Sequence, residues 1–597
     1  MADTIPARFF ATARTRPLSP AYAVKRSGSW RTTNWKTYAA QVRRVGKALL
    51  ALGLEPGGKV CMLGFNRPDW CIFNMGAMAA GGVGAGIYTT CSSEEVKYIA
   101  DHADAHAILL EDEGQWEKIK TQKYHADGDQ LPRLKHVVMM QGVPKIDDPL
   151  VLSWEELEAK GDDVSDSDFD ARLDGLEPDG LATLIYTSGT TGPPKGVMLS
   201  HENLRWTATT AQKMVGSRAS DVCLSYLPLS HIAEQMFTIH GPALTGSGVY
   251  FAESIDKVPD NLKEVQPTIV FGVPRIWEKF HAGVAAKLEE ATGPKKLLID
   301  WVQQLCRQRS ALINQGRTPG LAVELQYEVA KRLVLSKLKP ALGLGRARMC
   351  VSGAAPVAKE ILEFFSGLDI IIHEVYGQSE DTGPTTFNMP RATKYGTVGQ
   401  PIPGCEVTLG DDDEILVRGP NVFLGYLKDE AATSETLIDG WLHSGDLGAF
   451  DSRGFLSITG RKKDIIITAG GKNIAPKNIE GSLKNNPLIS EAVVIGDRRK
   501  FLSVLITIDE EELRKLLGAT NGEQPNPDDA RVRAEVRRTI DSVNRNLARV
   551  EQIKKFTILP RSLTIEDGEL TPTLKVKRKK VNEHFADQIE AMYTDPQ

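Results

Sequence analysis

A chain of 597 residues is too long for one ordinary hydrophobic core, so at least two domains are expected. Its composition, 41% hydrophobic and 25% charged, is that of a soluble globular protein, and no window of about 20 residues is apolar enough to span a bilayer. A net charge of -5 gives no global attraction for nucleic acid or an anionic membrane.

The N-terminus carries arginines but no apolar core, so it does not read as a secretory signal, and Asp3 and Pro6 disfavour an amphipathic presequence helix. From about 33 to 112, helices (38–52, 69–80) alternate with apolar strands (59–64, 107–110), which implies parallel α/β layers. The glycine-rich stretch 73–88 reads as a buried helix running into a turn, and the acidic stretch 161–179 as a surface linker. A buried strand is expected at 181–186. The segment 276–344 is helix-rich; LAVELQYEVAKRLVLSKL places apolar residues three and four apart, as an amphipathic helix requires. Beyond 460 the character changes to short β-branched strands (464–469, 491–496, 502–508) between charged helices, a smaller α+β unit. The seven cysteines (61, 71, 91, 223, 306, 350 and 405) are odd in number, scattered and without a CxxC pair. They read as reduced, buried thiols of a cytosolic protein rather than a disulfide frame or zinc site.

Directly after the expected strand at 181–186 stands YTSGTTGPPKG, residues 186–196. Glycines let backbone N–H groups converge on an anion, Thr187, Ser188, Thr190 and Thr191 add hydroxyl donors, and Lys195 adds a point charge. The pattern is a phosphate cradle built around Thr187, Ser188, Gly189, Thr190, Thr191, Gly192 and Lys195. It is not a Walker A loop, because Pro194 precedes the lysine. The segment resembles the signature of the superfamily of acyl-CoA synthetases, non-ribosomal adenylation domains and luciferases.

That resemblance continues in order along nearly the whole chain. SYLPLSHIAEQ (225–235) is similar to the stretch near the carboxylate and thiol tunnel, which makes His231 a candidate for orienting substrate or gating; a lone histidine can equally be a satisfied core group. SGAAP (352–356) resembles the segment against adenine and brings in Ala354, Ala355 and Pro356. VYGQSEDTG (375–383) is similar to the Tyr-Gly-x-Thr-Glu core, which implies Tyr376 and Gly377 at adenine, Gln378 beside them, Ser379 at the α-phosphate and Glu380 on Mg²⁺, with Thr187 as the second candidate ligand. Serine replaces the usual threonine and keeps the hydroxyl. A hydrolase elbow is excluded, since Asp381 stands where that motif needs glycine. WLHSGDLG (441–448) and GRKKD (460–464) resemble the ribose elements and assign Asp446 and Arg461 to the ribose hydroxyls.

LTPTLKVKRKK (570–580) resembles the C-terminal lysine motif of long-chain members, with Lys575 as adenylation lysine and Leu574 where the common form has glycine. The basic cluster could instead be a solvated charge run, a membrane-facing patch or a nuclear signal. The resemblance implies an α/β fold: a large multi-layer N-terminal domain (1–462) of packed sheets and helices, and a small mobile α+β domain (463–597). The hinge would lie at Lys463, and rotation would bring Gly470 and Gly471 to the thiol entry. The implied cofactors and substrates are ATP, Mg²⁺ and coenzyme A. GFNRPDW, AGIYTT, FGVPRIWEK and the helical insert look most like long-chain acyl-CoA synthetases of the bubblegum-type branch, which implies a fatty acid as substrate and coenzyme A as acceptor. With cysteines of cytosolic type and no spanning segment, a cytoplasmic protein with at most peripheral membrane contact is expected. A ligase that loads a carrier protein is the alternative. A catalytically silent binding protein is disfavoured by Lys195, Glu380, Asp446 and Lys575 together.

Overall fold

The strand Lys59–Leu63 (KVCML) lacks in-and-out alternation because both of its faces are covered. Val60 and Met62 pack with Val42, Val45, Leu49 and Phe73, whereas Cys61 and Leu63 pack with Val96, Ile99, Trp116 and Ile119 on the other side. This strand lies inside an eight-stranded sheet in the order Gly425–Tyr426, Lys195–Ser200, Leu181–Thr187, Val83–Ile87, Lys59–Leu63, Ala105–Leu110, His136–Met139, Val151–Leu152. The computed structural model describes residues 2–187, 193–469, 472–519, 523, 525–571 and 574–594.

A second sheet aligns Ile269–Gly272, Met349–Ser352 and Ile372–Tyr376 in parallel, then adds two short antiparallel strands. A four-stranded sheet contains Pro20–Arg26, and a second five-stranded assembly runs from Glu406–Leu409 to Leu456–Arg461. Past this point a separate core forms. Ile489–Ile495, Leu502–Ile508 and Ile553–Ile558 make a three-stranded sheet, with Ile479, Leu483, Val532, Val536 and Ile540 on one face and Leu559, Val581, Phe585 and Ile589 on the other. The α/β class expected from the sequence is the one observed.

Several local readings need correction. Residues 83–87 are a strand, not a turn. Its glycines admit close neighbours; a Cβ on Gly84 would lie 1.9 Å from the Asn74 side-chain oxygen. The acidic stretch contains the helix Asp166–Asp174, capped by Ser165, and buries Phe169 and Leu173. The N-terminal segment forms the helix Ile5–Thr15, with Pro6 in the first turn, where its missing N–H has no partner to lose. Ile5, Phe9 and Phe10 of this helix are part of the main core. The strand expected at 464–469 shrinks to Ile466–Ile467. None of the seven cysteines is disulfide-bonded, and six of them are buried.

On the strand Ile372–Tyr376, burial pushes the Glu374 carboxyl up to about 8, and its Oε2 is buried without a hydrogen-bond partner. Between the unfolded value near 4.5 and about 8, the native state holds a proton that the unfolded chain releases, so this group destabilises the fold increasingly as pH rises through that window. Glu374→Gln is therefore expected to raise thermal stability, by roughly 2 kcal/mol more at pH 8 than at pH 6. Melting curves at the two pH values check it; an equal or smaller gain at pH 8 contradicts the protonation assignment.

Candidate active site

Parallel strands present their carboxyl ends on one side of a sheet, and loops leaving those ends form the crevice where ligands bind in open α/β folds. Leu181–Thr187, Met349–Ser352 and Ile372–Tyr376 each deliver a sequence motif from such an end. At the two ends of the phosphate-cradle motif, Thr187 pairs directly with Lys195 across the antiparallel strands. Ser188, Gly189, Thr190, Thr191 and Gly192 lie outside the described residues, as do Gly470 and Gly471. Lys195 Nζ stands 3.6 Å from Asp429 and 4.8 Å from the centre of the Tyr426 ring.

The two loops after the second sheet sit side by side, because Ser352 is in register with Glu374. Ala354 takes a left-handed conformation (φ 69°), and Ala354, Ala355 and Pro356 are exposed along the rim. In the neighbouring loop a Cβ on Gly377 would meet the Gly383 carbonyl oxygen at 1.4 Å, so only glycine allows the turn to close. The Gln378 N–H donates to the Asp381 carboxylate, and Ser379 is buried beneath. Burial pushes Asp381 up to about 8. Glu380 remains partly exposed, with its Oε1 accepting the Tyr426 hydroxyl at 2.9 Å.

Asp446 and Arg461 face each other in the register of Trp441–Phe450 against Leu456–Arg461, with Arg461 Nε 3.3 Å from Asp446 Oδ1. The other carboxylate oxygen accepts from Tyr376 Oη at 3.0 Å and Gln378 Nε2 at 2.7 Å. Gln378 also donates to the Ser444 carbonyl, so its visible role is to fix Asp446.

Lys575 comes from the small domain to this same cleft. It is accessible to solvent at the mouth, yet cleft walls crowd it. That crowding lowers its pKa first, followed by repulsion from Arg461 and Lys477, while Asp446 and Glu380 act in the opposite direction. Its turn is held from behind: the Lys575 N–H donates to Thr571 Oγ1 at 3.0 Å, and the Lys577 N–H to the carbonyl of Glu569. The fully buried Glu569 carboxylate accepts from Arg561 at 2.7 Å and lies 3.0 Å from His584 Nδ1. His231 caps the helix Ile232–Gln235, its Nδ1 accepting the Ala233 N–H at 3.1 Å. Burial, reinforced by the positive charge of Lys575, lowers it to about 4, so it is neutral near pH 7. His231 is thus both a structural cap and a neighbour of Lys575.

The structure therefore gathers Lys195, Tyr376, Gln378, Glu380, Asp446, Arg461, His231 and Lys575 around one cleft. Sequence reasoning missed Tyr426, Asp429 and Lys477, whose roles arise only from contacts distant in the chain.

Leu574, in the place of the familiar glycine, adopts φ 60°, the left-handed region that glycine favours. The leucine thus preserves the turn at some strain. Leu574→Gly is expected to keep adenylation at or above the parent rate. Leu574→Val, β-branched and ill-suited to positive φ, is expected to lower small-domain stability by about 1 kcal/mol and to slow adenylation several-fold. Equal behaviour of the two variants in melting and rate measurements contradicts the conformational assignment.

Two family models match the chain. The model described as AMP-binding enzyme matches residues 9–427, and the one described as AMP-binding enzyme C-terminal domain matches 463–597. The chain belongs to the family of AMP-binding enzymes. It is 39% identical over 615 residues to the long-chain-fatty-acid–CoA ligase ACSBG2 of Xenopus laevis, spanning 96% of this chain and 82% of that one. It is 37% identical over 609 residues to the long-chain-fatty-acid–CoA ligase FadD15 of Mycobacterium bovis, spanning 99% and 97%. Among solved structures, the adenylation domain of a carboxylate reductase from Mycobacterium chelonae is similar in fold, with a TM-score of 0.76 at 19% identity over 99% of this chain and 91% of that one.

Proposed function

We propose that this enzyme uses ATP to convert a long-chain fatty acid to an acyl-adenylate, releasing pyrophosphate, and then transfers the acyl group to coenzyme A, releasing AMP. The observation that carries the reading is the convergence of Lys575 with Glu380, Asp446 and Arg461, two domains contributing to one cleft. The names of the relatives above support the fatty acid and coenzyme A as substrates.

Attack of a carboxylate on the α-phosphate joins two anions, so catalysis must neutralise charge and align the reactants. No protein base is needed, because the fatty acid is already ionised near neutral pH. Asp446 offers a carboxylate to the vicinal ribose hydroxyls, held in place by Tyr376, Gln378 and Arg461. Lys575 and Lys195 supply positive charge around the phosphates. Glu380 suits Mg²⁺ as a hard oxygen ligand facing the cleft. Among the described residues no cluster of three or more His, Cys, Asp or Glu side chains could hold a metal. When bound, Mg²⁺ neutralises triphosphate charge. Thr187, at the end of its strand, could add a hydroxyl. We assign residues 1–462 to the large domain and 463–597 to the small one; the separate core that begins near Ile466 supports the division.

The arrangement corresponds to the first half-reaction, since Lys575 is beside the nucleotide ligands. Incubation with ATP and a panel of acids, with and without coenzyme A, tests the function. The expected result is AMP and acyl-CoA formation that depends on long-chain acids and on coenzyme A. Transfer to a carrier protein but not to coenzyme A would overturn the acceptor assignment.

A further inference from the structure

Large aliphatic side chains aligned on the solvent face of a surface helix contribute nothing to the core beneath it. The helix Leu321–Ala330 continues through a π-helical turn, Lys331–Leu335, into Ser336–Ala341. Tyr327, Ala330 and Leu335 form its buried face, packed with Val302, Leu305 and Cys306 of the helix Gly293–Asn314. Away from that face stand Leu321, Leu325, Val329 and Leu333, exposed by 86%, 70%, 50% and 55%. In a regular α-helix a four-residue spacing drifts about 40° per step, which carries the last member off the line. The π turn underwinds the helix and brings Leu333 back toward the others. Leu297, 73% exposed, stands on the neighbouring helix next to Leu298 and Trp301, which pack against the same core.

The charge around this stripe departs from that of the whole chain. Residues 293–348 hold eleven Lys and Arg against three acidic residues, in a chain of net charge -5. Lys295, Lys296, Arg332 and Lys337 are exposed, and no ion pair is formed by any of them among the described residues. The basic run 577–580 is a poorer docking surface, since Arg578 pairs with Glu480 and Lys580 with Glu583.

We propose that the helical insert 293–348 docks on an anionic lipid bilayer, with the Leu321, Leu325, Val329 and Leu333 stripe entering the headgroup boundary and the flanking lysines and Arg332 holding lipid phosphates. Apolar insertion combined with basic flanks is the chemistry of interfacial helices. No helix among the described residues is long and apolar enough to cross a membrane. Its biological sense rests on the fatty acyl reading, because such a surface brings the enzyme to where poorly soluble acids reside.

Flotation with vesicles of equal parts phosphatidylcholine and phosphatidylglycerol, and of phosphatidylcholine alone, tests the docking without substrate. Its failure is therefore separable from failure of the acyl-activation reading. The parent protein is expected to float with the anionic vesicles, less so at high salt. L321Q/L325Q/V329Q/L333Q should bind at least about tenfold more weakly. K295E/K296E/K337E should lose about fivefold per reversed lysine and most of the salt dependence. Both variants should keep AMP release with a soluble acid. Absence of flotation by the parent, or unchanged flotation by either variant, would overturn the proposal. So would a parent dimer that the leucine-stripe variant dissolves, since the stripe would then be covered by a second copy.

Discussion

Lys575→Ala is expected to slow acyl-adenylate formation by about 10²–10³-fold while leaving thioester formation from preformed acyl-adenylate within a few-fold of the parent. The magnitude is that of removing one preorganised charge or donor from a developing anion in a partly desolvated site. The selectivity follows from where the lysine stands. It lies among Asp446, Glu380 and Arg461, where phosphate charge must be balanced, and that need vanishes once pyrophosphate has left. Small-domain folding should be little affected, because the turn is held by Thr571 and Glu569 backbone and side-chain contacts rather than by the Lys575 ammonium. Separate single-turnover assays of the two half-reactions check the result. Equal loss in both would show that Lys575 supports the fold and does not serve the first step.

Lys463→Pro is expected to uncouple the half-reactions, with adenylation retained and thioester formation reduced by about 10²-fold or more, as displacement of reacting groups from alignment entails. Lys463 sits in the single 3₁₀ turn Lys462–Asp464 between the domains. On one side Lys462 pairs with Asp412 at 2.6 Å and Glu414 at 3.1 Å in the large domain. On the other, Asp464 pairs with Lys477 at 3.4 Å in the small domain. Proline fixes φ near -65°, which suits the first turn of a helix, so the substitution favours the arrangement with Lys575 in the cleft. Rotation to any other arrangement needs a change of backbone angles here, which proline resists. An unaltered overall reaction would show that the hinge lies elsewhere or that no rotation is required.

The sequence disclosed the motifs better than their setting. Glycine, hydroxyl and basic residues at fixed spacing identify the nucleotide elements because the chemistry depends on residue type. The central strands were legible for a similar reason, since apolar runs such as KVCML must be covered on both faces. The strand Val83–Ile87 was hidden because its glycines answer to neighbours such as Asn74, 10 residues away and on another element. The helix Asp166–Asp174 was hidden because only Phe169 and Leu173 mark its apolar face within an acidic run. Tyr426 and Asp429 carry no motif of their own; they matter because Gly425–Tyr426 pairs beside Lys195–Ser200 at the sheet edge. Periodicity did disclose the amphipathic helix after 320, but which of its apolar residues would face solvent depended on the π turn and on the partner helix.

Exchange of labelled pyrophosphate into ATP, measured with a long-chain fatty acid and without coenzyme A, bears most directly on the claim that this cleft forms an acyl-adenylate. The account predicts exchange that requires the fatty acid and is lost in Lys575→Ala. No fatty-acid-dependent exchange, or turnover of ATP to ADP and phosphate in its place, would contradict it.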